Sequence, residues 1–134
     1  MKNQLILFYI MLLTFSCKSQ ESNTELTLNY KAQTRGFTYL IQLENNQLHL
    51  TNNSIVKTHK LNVLQVSKIK EVLENIDLNK MESKLNKEDL AVDKAIKGVL
   101  YINLNKNEYL FEINHNELPE KFKHLFKQLE ELLE

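Results

Sequence analysis

A chain of 134 residues carrying 17 basic and 17 acidic side chains has no net charge, so it lacks the electrostatic footprint of a nucleic-acid binder. One cysteine excludes an internal disulfide, and two glycines with one proline argue against phosphate-cradling loops and a turn-rich β-sandwich. The length suits one domain with a single modest core.

The chain begins with Met1-Lys2-Asn3-Gln4, and Lys2 is the only charge before Lys18. Leu5 to Phe15 is an apolar run of eleven residues. At about 1.5 Å per helical residue it covers about half of the roughly 30 Å of hydrocarbon that a spanning helix must cross. A positive start, a short apolar middle and a small residue at the cut make a secretory signal. Leu12-Leu13-Thr14-Phe15-Ser16-Cys17 resembles the lipobox of a bacterial lipoprotein, and Cys17-Lys18-Ser19-Gln20 in an Asn- and Lys-rich chain is similar to Bacteroidetes-type lipoproteins. The resemblance covers only about the first twenty residues. It implies cleavage between Ser16 and Cys17, a lipid (palmitate among its acyl chains) on Cys17, and attachment to a membrane of the cell envelope, expected to be the outer membrane. A cysteine can also be a small core hydrophobe, but this one sits where a lipoprotein cysteine must sit. Each buried CH₂ adds roughly 0.8 kcal/mol, so two or three acyl chains hold firmly where one does not.

The expected organisation is therefore a cleaved signal over residues 1–16, a lipidated cysteine and polar tether over 17–23, and one domain over 24–134. The mature chain keeps 118 residues, with 16 basic and 17 acidic side chains.

Thr24 to Thr34 alternates, with Leu26, Leu28, Tyr30 and Ala32 on one face, as a half-buried strand does. Arg35-Gly36 is the expected turn, with the glycine free to take positive φ. Phe37, Tyr39, Ile41 and Leu43 form the next inward face. Asn45-Asn46 suits a tight hairpin because asparagine tolerates the left-handed region. Leu48 and Leu50 face inward on the third strand. Asn52-Asn53-Ser54 is a further turn, and Ile55 to His59 is a candidate short fourth strand.

From Leu64 to Asn75 the period changes: Val66, Ile69, Leu73 and Ile76 recur at three and four residues, which predicts an amphipathic helix. Asp77 to Met81 ends it, and Met81 with Leu85 is read as a further helical turn. Asn86 to Lys94 is charged and reads as a loop. Ile96 to Leu104 carries apolar residues on both faces, as an interior strand or one covered on both sides does. Asn105-Lys106-Asn107 is a hairpin loop, and Glu108 to Asn114 returns with Tyr109, Phe111 and Ile113 on one face. Pro119 suits the first turn of the last helix. Its cap is Asn116 or Leu118, asparagine being the better one chemically. Phe122, Leu125, Phe126, Leu129, Leu132 and Leu133 make its apolar stripe.

The expected fold is α+β: an antiparallel sheet of five to six strands with two amphipathic helices on one face, in the order β-β-β-(β)-α-β-β-α. In layout the second half resembles other small bacterial lipoproteins, which implies no activity.

His115, with Asn116 and Glu117, is the candidate binding position, because a strand-to-helix junction carries sites on many folds. The plainer role for His115 is to order the turn. His124, Glu117 and Glu120 lack metal-ligand spacing, so no metal and no cofactor are expected. His49 and His59 are either neighbours across a hairpin or two exposed polar residues. Glu88, Asp89 and Asp93 read as solvation in a Lys-mixed loop. Leu40, Val99 and Tyr101 fall on the polar side of their strands, where they either cover one another or form a partner surface. With no catalytic motif in view, the expected function is non-enzymatic binding of an envelope protein partner, through the outer sheet face or the 86–94 loop. The alternatives are an inhibitor or immunity-type protein and a small hydrolase.

Overall fold

The computed structural model describes residues 25–82 and 95–134. Ser16, Cys17, the tether, Leu85 and the 86–94 loop with its acids lie outside the described residues.

Six strands form one antiparallel sheet: β1 (Leu26–Gln33), β2 (Thr38–Glu44), β3 (Gln47–Asn52), β4 (Ile55–Lys60), β5 (Lys97–Leu104) and β6 (Asn107–Asn114). Helix α1 (Val63–Glu74) follows β4 and α2 (Glu120–Glu131) follows β6, with short 3₁₀ turns at Leu78–Lys80 and His115–Glu117. The spatial order is β4-β3-β2-β1-β5-β6. The first four strands are a meander, and after α1 the chain returns to the far side of β1. The first strand in sequence thus lies inside the sheet, paired to β2 and β5.

One core holds the fold together. It takes Leu28, Tyr30, Ile41, Leu43, Leu48, Leu100, Ile102 and Ile113 from one face of the strands, and Ile69, Leu73, Phe122, Leu125, Phe126 and Leu129 from the two helices. Both helices therefore cover the same side of the sheet, in two layers. The predicted inward residues of β1, β2, β3 and β6 are the buried ones, Tyr109 and Phe37, which precedes β2, only in part.

The hairpins explain the asparagines. Asn45 and Asn46 have φ of 51° and 61°, and Asn105 and Lys106 have φ of 52° and 67°. Positive φ at both central residues matches the twist of the flanking strands, and asparagine reaches it at low cost. Asn53 (φ 54°) does the same between β3 and β4.

The turn at Gly36 differs from expectation, since neither glycine has positive φ. The Thr34 N–H donates to the Phe37 carbonyl at 2.8 Å and closes the turn without it. Gly98 is the glycine that packing requires: a Cβ there would lie 2.3 Å from the Tyr30 hydroxyl oxygen.

The helix starts also differ in detail. Asn62 caps α1 in a reciprocal box, its side chain accepting from the Gln65 N–H while the Gln65 side chain accepts from the Asn62 N–H, each at 2.9 Å. The cap of α2 is Pro119, not Asn116 or Leu118. Asn116 is occupied in the preceding 3₁₀ turn, which Asn114 caps: its Oδ1 accepts from the Asn116 N–H at 3.1 Å and from the Ile96 N–H at 3.3 Å. Met81 is extended and does not continue a helical turn.

Candidate interaction surface

No described helix covers the second face of the sheet, and the register sets its side chains in rows across the strands. One row runs Glu112, Val99, Lys31, Leu40, Thr51, Val56. The next runs Leu110, Tyr101, Asn29, Gln42, His49, Thr58. Alternation dictates this: a strand with one buried face presents every second residue on the other.

The face is mixed rather than purely polar. Leu110 is 64% exposed and Val56 67% exposed, while Leu40, Val99 and Tyr101 are half-buried. Cross-strand pairs pin the polar groups between them. The Tyr101 hydroxyl donates to Glu108 Oε1 at 3.0 Å, His49 Nδ1 lies 3.1 Å from Thr58 Oγ1, and Lys97 pairs with Glu112.

Beside this row lies an open groove of about 520 Å³, lined among the described residues by Lys31, Gln33, Thr34, Arg35, Lys97 and Val99. The β1–β5 ladder and the Thr34–Phe37 turn create it by bringing three cations to one end of the face. Lys31 and Arg35 are exposed and form no ion pair among the described residues.

His115 lies on the opposite, helix-covered side. Its Nδ1 is 2.8 Å from the Tyr30 hydroxyl. Its ring lies 5.1 Å from both Phe37 and Tyr39 and 5.8 Å from Tyr30, centroid to centroid. Its N–H donates to the Ile96 carbonyl. Burial pushes Tyr30 and Tyr39 far up, so both keep their protons, and it lowers His115. The protonated Tyr30 hydroxyl donates to Nδ1 in the tautomer that carries its ring proton on Nε2, and accepts from Nδ1–H in the other. Tyr39 donates to the Glu130 carboxylate on α2. This aromatic nest joins β1, β2, the β6–α2 junction and α2. Asn116 and Glu117, the other two candidates, are exposed.

His49 and His59 are not neighbours on one face. His49 is opposite Thr58 on the uncovered side and His59 is opposite Leu48 on the other. His124 is exposed on α2. Among the described residues no three His, Cys, Asp or Glu side chains converge as metal ligands, and no helix is long and apolar enough to cross a membrane.

Two groupings were absent from the expectations, and only one of them has a signal in the sequence. The capping box of α1 is visible as Asn-x-x-Gln ahead of an apolar period. The cationic groove is not, because Lys31 and Lys97 meet only through a pairing between strands 66 residues apart. Comparisons with family models, with curated proteins and with solved structures return no match.

Proposed function

We propose that the protein is a lipid-anchored binding module of the cell envelope, held to a membrane through acylated Cys17, that presents its uncovered sheet face to a protein partner. The observation that carries this reading is the one-sided packing of the helices. It leaves Leu40, Val56, Val99, Tyr101 and Leu110 on a broad, rigid surface among hydrogen-bonding side chains. Apolar and aromatic contacts inside a polar surround are the composition of protein interfaces. Hairpin-locked strands present that surface with little ordering cost on binding. The tether of residues 17–23 keeps the domain near the membrane, where a partner meets it at raised local concentration.

The test places a photoreactive residue at Leu40, in the centre of the face, or at Lys123, exposed on α2, in the full-length protein in its native membranes. A discrete adduct from position 40 and none from position 123 supports the reading. Equal, diffuse adducts from both positions, or none from either, contradict it.

A further inference from the structure

We infer that the groove of Lys31, Arg35 and Lys97 is the specificity element of this face and takes an extended acidic peptide segment of a partner protein. The inference deepens the proposed function and rests on it. Charge is the first reason. The mature chain is almost neutral, yet three cations converge on one groove, and among the described residues only Lys97 of the three has an acidic partner, Glu112. Geometry is the second. Lys31 and Gln33 are successive outward residues of β1, about 6.6 Å apart, the repeat at which an extended peptide places alternate side chains. The Arg35 guanidinium can grip a carboxylate with two parallel hydrogen bonds, Lys31 and Lys97 add point charges, and Val99 supplies an apolar floor.

Other anionic ligands fit less well. An open groove without a buried donor holds a single small anion weakly, whereas a peptide engages all three cations and Val99 together. Three cations on a near-neutral protein release too few counterions for useful nucleic-acid affinity. The groove also lies at the end of β1 farthest from the tether. Lys31 and Gln33 lie five and seven residues along β1 from Leu26, about 17 and about 23 Å at about 3.3 Å per residue.

The experiment measures fluorescence anisotropy of a labelled peptide of alternating Glu and Ala, titrated with the full mature protein in detergent. Saturable binding is expected. It should weaken about tenfold in Lys31→Glu/Arg35→Glu, fall as salt rises from about 0.02 M to about 0.3 M, and stay unchanged in Lys123→Glu. The inference is overturned if the parent does not bind the peptide. It is equally overturned if a Lys-Ala peptide binds as tightly, or if the double variant, folded by circular dichroism, binds as the parent does. Loss of binding to phosphatidylglycerol vesicles in the double variant without peptide binding by the parent would overturn it in favour of lipid headgroups. Persistence of the position-40 adduct in the double variant overturns the inference and leaves the proposed function standing. Absence of that adduct in the parent removes the proposed function itself.

Discussion

The Tyr30 hydroxyl and His115 Nδ1 share a hydrogen bond of 2.8 Å across 85 residues of chain, tying the interior strand β1 to the β6–α2 junction. Tyr30 is fully buried and His115 half-buried, so the bond is shielded from water at one end. Tyr30→Phe removes the hydroxyl and leaves a partly buried ring nitrogen without this partner. We expect a loss of about 1–2 kcal/mol in urea unfolding with the slope unchanged.

Gly98 is coupled to the same hydroxyl. Gly98→Ala forces a Cβ to 2.3 Å from the Tyr30 oxygen and 2.8 Å from its ring carbons, so about 1–3 kcal/mol of stability should be lost. Removing the oxygen relieves the closer contact only. The Gly98→Ala/Tyr30→Phe pair should therefore be less destabilised than the sum of the single changes, without full recovery. A double-mutant cycle in urea measures this.

Burial lowers His115, so between its folded value and about 6.5 the unfolded chain binds more protons than the folded one. The stability attached to the neutral ring is fully present above about pH 6.5 and is lost as pH falls from there toward the folded value. The groups facing the ring are Tyr30, Tyr39 and Phe37, with Glu130 reached through the Tyr39 hydroxyl. The urea midpoint should fall on acidification below about 6.5, and His115→Gln should flatten that part of the profile. An equal slope in the variant would assign the pH dependence to other groups.

Lys106 occupies the left-handed region at φ 67° in the β5–β6 hairpin, where a side chain costs about 1 kcal/mol. Lys106→Gly makes an Asn-Gly turn of the type this hairpin prefers. It should raise the melting temperature, while Lys106→Val should lower it.

Much of the fold was legible because its strands are half-buried: Leu26, Leu28, Tyr30 and Ala32 alternate with polar residues, and that pattern has one reading. The six-residue β4 was harder, since only His59 of its residues is even partly buried and no alternation marks it. The apolar residues on both sides of β5 go with its place between β1 and β6, and Val99 and Tyr101 are half-buried there. His115 stood out as a residue, but its surroundings did not, because Tyr30, Phe37 and Tyr39 reach it only through tertiary packing. The cationic groove was hidden for the same reason, while Asn116 and Glu117, the sequence neighbours of His115, are exposed.

The packing of α2 gives the largest expected stability effect. Phe126 lies 4.5 Å from the Tyr30 ring, and Phe122 lies 5.4 Å from Phe111. Phe126→Ala should cost about 3–5 kcal/mol, a large share of a small domain's stability, seen as a large fall in Tm by circular dichroism.

The central claim is a binding module attached to a membrane through Cys17, and intact mass with palmitate labelling of the native protein and of Cys17→Ala tests it most directly. The account predicts a native chain that begins at Cys17 with added acyl mass, carries label and sediments with membranes, and a variant that loses both label and membrane association. A native chain that is unlabelled and free in the soluble fraction would contradict it.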